Sequence, residues 1–123
     1  MYQVSVELHF DAAHYLRNYH GKCENLHGHR FKVVAHLKTD KLDENGLAYD
    51  FVELKRHLGA ILDKYDHTCL NDIPPFNKIN ATSENVAATI FKRLQSKLGR
   101  REKLSSIEVW ESPQTYVTYS PGA

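Results

Sequence analysis

Tyr2-Gln3-Val4-Ser5-Val6-Glu7-Leu8-His9-Phe10 decides the fold class. Tyr2, Val4, Val6, Leu8 and Phe10 alternate with Gln3, Ser5, Glu7 and His9. That period of two predicts a strand with one buried face. Residues 30–39 repeat it, with Phe31, Val33, Ala35 and Leu37 on one side. Lys41-Leu-Asp-Glu-Asn-Gly46 is polar and turn-rich. Asp50 then opens a helix, with Glu53 three residues on as in a capping box. Phe51, Leu54, Leu58, Ile61 and Leu62 form its apolar stripe. Residues 66–81 hold Pro74, Pro75 and several asparagines, a long loop of the kind that is often functional. A second helix starts near Thr82-Ser83-Glu84, with Val86, Ala87, Ile90, Phe91 and Leu94 inward. Residues 105–112 and 115–120 predict a closing hairpin. The order ββααββ implies an α+β domain over residues 1–123, a four-stranded antiparallel sheet with two helices on one face.

The 123 residues fit one compact domain, and a hydrophobic share of 41% is ordinary for one. A formal net charge of +1 with interspersed signs argues against nucleic acid as a partner. No apolar run is long enough to span a membrane. Met1-Tyr-Gln-Val-Ser lacks the regions of a signal peptide, so a cytoplasmic protein is expected. Cys23 and Cys69 make no disulfide framework. Eight histidines point to metal or acid–base chemistry.

His27-Gly28-His29 has i, i+2 spacing. If it begins the second strand, both imidazoles share a face and suit Zn2+. His14, just past the first strand in Phe10-Asp-Ala-Ala-His14, is the third ligand that a returning chain brings alongside. Three histidines leave a fourth position open, as in catalytic sites. On spacing alone, an ordinary loop pair of histidines stands level with zinc. Cys23 fits either as a fourth ligand closing a structural site or as a nucleophile or base beside the metal, where a nearby cation favours thiolate. Asp66-His67, at the exit of the first helix, reads by default as a loop hydrogen bond. In a site, Asp66 orients His67, which relays protons with Cys23. Glu111 shares parity with Ile107 and Val109, and an inward carboxylate needs a donor. At a strand end parity need not hold; in a site, Glu111 accepts from a guanidine-like heterocycle edge. Cys69 reads as packing, His9, His36 and His57 as solvated, and His20 as a loop residue.

These motifs together resemble the 6-pyruvoyl-tetrahydropterin synthase / 6-carboxytetrahydropterin synthase family over nearly the whole chain. They are Phe10-Asp-Ala-Ala-His14, Cys23-Glu-Asn-Leu-His27-Gly-His29, Asp50-Phe51, Asp66-His67 with Leu70-Asn-Asp72, Thr82-Ser-Glu-Asn85 and Glu111. The resemblance implies a tunnelling fold that assembles as trimers, usually paired as hexamers, with sites at subunit interfaces. It implies Zn2+ on His14, His27 and His29, Cys23 as proton acceptor, and His67 with Asp66 as its relay. It implies Glu111 as anchor for a pterin, helped by Thr82 and Ser83. The substrate would be 7,8-dihydroneopterin triphosphate, a small molecule. Lys22, Arg17 and Arg30 are candidates near its triphosphate.

Three residues separate Cys23 from His27, which is similar to the bacterial carboxy branch; the pyruvoyl branch typically has a longer gap. The carboxy branch yields 6-carboxy-5,6,7,8-tetrahydropterin, acetaldehyde and triphosphate on the way to queuosine. Glu24 departs from that pattern. A third branch uses a glutamate there, without the cysteine, to make 6-hydroxymethyl-7,8-dihydropterin for folate. A solvated loop carboxylate is the plain alternative for Glu24.

Overall fold

A computed structural model describes residues 1–18, 25–99 and 102–122. The alternating stretch forms β1, Tyr2–His14, and the second forms β2, His27–Thr39. Both run farther than the alternation predicts. Their antiparallel ladder stays in register from Tyr2–Thr39 to His14–His27, so backbone pairing carries the strands past the apolar pattern. Asp50 caps α1, Phe51–Leu62, by accepting from the Val52 N–H. Glu53 turns to the Arg56 guanidinium at 2.8 Å. Leu54, Leu58, Ile61 and Leu62 are buried as expected. Phe51 is 58% exposed, a correction to the stripe, because the first helical residue projects beyond the sheet.

The loop after α1 holds β3, Thr68–Cys69, and a 3-10 turn at Leu70–Asp72. Thr82 caps α2, Ser83–Leu98, through a bond from the Asn85 N–H to its Oγ1 at 3.1 Å. β4, Lys103–Ser112, and β5, Thr115–Tyr119, close the chain as a hairpin. Among the described residues the sheet has five strands in the order β3-β1-β2-β4-β5. β3 runs parallel to β1 at Ala12 and Ala13, so the sheet is mixed rather than four-stranded and antiparallel. Its two residues cover only the Ala12–Ala13 part of the β1 edge that faces away from β2, a role that needs no apolar pattern of its own.

α1 packs over β1, and α2 over β4 and β5. Val4, Val6, Phe10 and Ala12 of β1 meet Phe31, Val33, Ala35 and Leu37 of β2 beneath them. Phe10 stacks on Phe31 with centroids 4.9 Å apart. At roughly 1.5–3 kcal/mol per fully buried large apolar side chain, this layer dominates the drive to fold. It also fixes face: His14, His27 and His29 share parity with Phe10 and Phe31 and so point toward the helices.

His36 is a correction. Its side chain is only 16% exposed, on the sheet face away from the helices, and it bonds Glu108 and the Ser5 Oγ. The cross-strand ladder places Ser5 and Ser106 beside it, so neighbours shield it. His57 is also mostly covered, beside Glu53, whereas His9 is exposed. Cys69 is half-buried in β3.

Candidate active site

His14 is 2% exposed, at the last rung of the β1–β2 ladder. Its Nδ1 lies 2.7 Å from the Ala81 C=O, at the entrance to α2. A carbonyl only accepts, so Nδ1 carries the proton and Nε2 presents a lone pair. Buried Nε2 finds no hydrogen-bond partner among the described residues. His27 repeats the arrangement, with Nδ1 2.7 Å from the Asn25 C=O. The His14 ring centroid is 4.5 Å from that of His27 and 5.4 Å from that of His29. Ligand atoms of all three imidazoles lie within 4.8 Å of one another. Burial holds the pKa of His14 below its usual value, against the opposing pull of the Ala81 bond and the Glu111 charge. His29 is lowered for the same first reason. Burial thus favours neutral donors, the form in which imidazole binds metal.

A buried, unpartnered lone pair converging with two more imidazoles is costly unless something occupies their focus. The donor set fits a borderline cation such as Zn2+, and carbonyl bonds on the far ring nitrogens of His14 and His27 fix the tautomer and direction of those rings, as in such sites.

Glu111 stands beside this cluster. Its Oε1 accepts from the Ser83 Oγ at 2.7 Å and lies 3.8 Å from His14 Nε2. The β4–β5 register shifts between Trp110 and Ser112, and Glu111 occupies that bulge, 32% exposed on the helix side. With His14, Thr82, Ser83 and Tyr116 it lines a cavity of about 470 Å3. That volume falls in the range of small-ligand pockets.

Asp66 and His67 gather elsewhere. The His67 Nδ1 is 3.0 Å from an Asp66 carboxylate oxygen, and the other Asp66 oxygen accepts from the Asp11 N–H at 2.8 Å. That backbone bond is the main reason the Asp66 carboxyl sits below its usual range. His67 has φ +59, a left-handed conformation uncommon outside glycine but adopted by histidine more often than by most residues, and its N–H donates to the Asp11 C=O. It is 79% exposed and shares a groove with His29, Gly28 and Arg30 rather than joining the three imidazoles. Cys23 and Glu24, with Lys22 and His20, lie outside the described residues.

Arg30 is paired with Asp11 at 3.1 Å. The Arg17 guanidinium donates to the carbonyls of Phe76, Ile79 and Asn71 and also lines the cavity beside Glu111. Sequence reasoning missed the Ala81 and Asn25 carbonyls. Every residue carries a C=O, so nothing in a side-chain pattern could have found them.

An α+β layer with three convergent imidazoles at the end of its two central strands, beside a pocket lined by Glu111, has the donor set of a metal-binding site but does not define one reaction. The comparisons narrow it. The family described as 6-pyruvoyl tetrahydropterin synthase matches residues 3–122. A 6-carboxy-5,6,7,8-tetrahydropterin synthase of Synechocystis is 36% identical, over 97% of this chain and 93% of that protein. The human 6-pyruvoyl tetrahydrobiopterin synthase is 32% identical, over 95% and 90%. The structure of Caenorhabditis elegans 6-pyruvoyl tetrahydropterin synthase superposes with a TM-score of 0.85 at 31% identity, covering 99% of this chain and 98% of that one. The chain belongs to the 6-pyruvoyl tetrahydropterin synthase family.

Proposed function

We propose that the protein is a zinc-dependent lyase. It converts 7,8-dihydroneopterin triphosphate and water to 6-carboxy-5,6,7,8-tetrahydropterin, acetaldehyde and triphosphate. The observation that carries the metal-dependent reading is the buried, unpartnered Nε2 of His14 converging with His27 and His29. Those three residues would hold Zn2+, which would supply a Lewis acid toward the substrate's side-chain hydroxyls.

Glu111, oriented by Ser83, takes the N–H donors of the aminopyrimidine edge; a carboxylate matches adjacent donors as it does a guanidinium. Thr82, which caps α2, and Ser83 help hold the pterin. Cys23 accepts the carbon-bound proton. His67, kept in one orientation by Asp66, passes that proton onward. The carboxy branch is favoured by the three-residue gap between Cys23 and His27. Glu24 supports a second, folate-type cleavage to 6-hydroxymethyl-7,8-dihydropterin. The protein works in the cytoplasm as a homo-oligomer, a trimer or a pair of trimers. Exposed His67 sits apart from the three imidazoles, which is consistent with a site completed across subunits.

Zinc-loaded protein incubated with dihydroneopterin triphosphate should release acetaldehyde together with the carboxy product. Triphosphate release without acetaldehyde would instead assign the pyruvoyl reaction named for the human and nematode relatives. No pterin product at all would overturn the enzymatic reading. Loss of both products in Cys23→Ala, with Glu24→Ala silent, would eliminate a separate role for Glu24.

A further inference from the structure

On the edge of β1 that faces away from β2, β3 pairs only with Ala12 and Ala13, and the chain beyond them needs other partners for its backbone groups. Two asparagine side chains supply them. Asn71 Oδ1 accepts the Tyr15 N–H and its Nδ2 donates to the Tyr15 C=O, both at 3.0 Å. Asn80 does the same at Arg17, with Oδ1 2.9 Å from the N–H nitrogen and Nδ2 3.0 Å from the C=O. A carboxamide offers one acceptor and a donor side by side, like a peptide group. Residues two apart in an extended chain present their backbone groups to one edge. The two side chains therefore imitate a neighbouring strand just where β1 runs out of one.

Asn80 directly precedes Ala81, the residue whose C=O holds His14 Nδ1. Its own C=O accepts from Asn85 Nδ2 at 2.9 Å, and Thr82 on the other side of Ala81 caps α2. The Ala81 peptide is thus fastened to the chain just past β1 on one flank and to α2 on the other. Asn71 is 3% exposed, and its backbone C=O accepts from Arg17, so the second clamp braces the first.

We propose that Asn80, braced by Asn71, is a positioning residue for the metal. It holds the Ala81 C=O against His14, which sets the tautomer and direction of that ligand and so the affinity of the three-imidazole site. The inference rests on the metal-site reading above. Loss of an outer-shell partner typically weakens metal binding ten- to a hundredfold.

The test compares the parent with Asn80→Ala, Asn80→Asp, His14→Ala and Asp50→Ala. Asp50→Ala weakens the α1 cap, outside both clamps, and controls for lost stability alone. Zinc affinity is read by competition with a chromophoric chelator, ligand geometry by the visible bands of the cobalt-substituted protein, and stability by melting the metal-free form. Asn80→Ala should bind zinc about 10- to 100-fold more weakly and alter the cobalt bands. Asn80→Asp keeps the acceptor for the Arg17 N–H and should fall between it and the parent. Asp50→Ala should melt lower yet bind like the parent. The proposal is overturned if the Asn80 variants melt lower but hold zinc within twofold of the parent with unchanged cobalt bands. If Asn80→Ala does not fold without metal, Asn80→Asp carries the same comparison. Parent binding that is lost in His14→Ala upholds the metal site whatever the clamp variants do. A parent that binds no zinc, or a His14→Ala that binds it as tightly, brings down the site reading and this inference together.

Discussion

At the scale of single residues, the site divides its labour between side chains that meet the ligand and groups that aim them. On the proposed reading, Glu111 belongs to the first kind. Hydrogen bonds to a charged group contribute about 1.5–3 kcal/mol, so Glu111→Ala should raise the Kd for a dihydropterin roughly ten- to a hundredfold. Calorimetric titration checks this, and zinc content should not change; unaltered pterin affinity would remove Glu111 from the anchor role. This residue was legible in the sequence because strand parity told which face it took. The three histidines were legible for the same reason, spacing on strands whose buried face the apolar residues declare. What aims them was not. The Ala81 and Asn25 carbonyls have no sequence signature, and Asn71 and Asn80 looked like ordinary loop asparagines. Their pairing with residues 15 and 17 exists only once the chain has turned back on itself.

At the scale of elements, the alternating and helical periods located both long strands, both helices and the hairpin, but not their ends. β1 extends through Asp11-Ala-Ala-His14 because β2 pairs with it there, although two small alanines dilute the apolar signal. β3 was invisible, since two residues cannot show a period. Helix starts were clearer, because a cap is a single side chain at a fixed offset. Asp50→Ala removes the bond to the Val52 N–H and should cost about 1 kcal/mol by denaturant melting, leaving turnover unchanged. The sheet face away from the helices makes a second case. Burial pushes the Glu108 carboxyl up, but bonds from His36 and Trp110, with the nearby Lys32 charge, outweigh it and hold the group below its ordinary range. A depressed folded pKa gives stability that is whole above the ordinary glutamate value of about 4.3 and is lost as pH falls through the lower folded value. Metal-free parent should therefore lose melting temperature more steeply below about pH 4 than Glu108→Gln does. Parallel acid limbs in the two melting curves would show that the network carries no linked stability.

For the whole molecule, the question is whether a metal at the proposed site would hold the fold or only use it. In domains that depend on structural zinc, removing the metal unfolds the chain, because the core is too small to stand alone. Here Phe10, Phe31, Tyr65, Phe76, Leu54, Leu58 and Ile90 are at most 1% exposed and belong to one continuous core between sheet and helices. His14 and His29 touch that core only at its rim, with ring centroids 5.4 Å and 5.7 Å from Phe31. Stripping zinc with a chelator should therefore leave a cooperatively folded protein with unchanged far-ultraviolet circular dichroism at room temperature. Its melting temperature should drop, because zinc binds the native site and not the unfolded chain. With free zinc a thousandfold above its Kd, that linkage amounts to about 4 kcal/mol. Chelation that unfolds the chain outright would instead point to a closed structural site with Cys23 as fourth ligand. A bound sulfur signal in the resting protein would then be expected in X-ray absorption, and the open coordination position that the proposed chemistry needs would be gone.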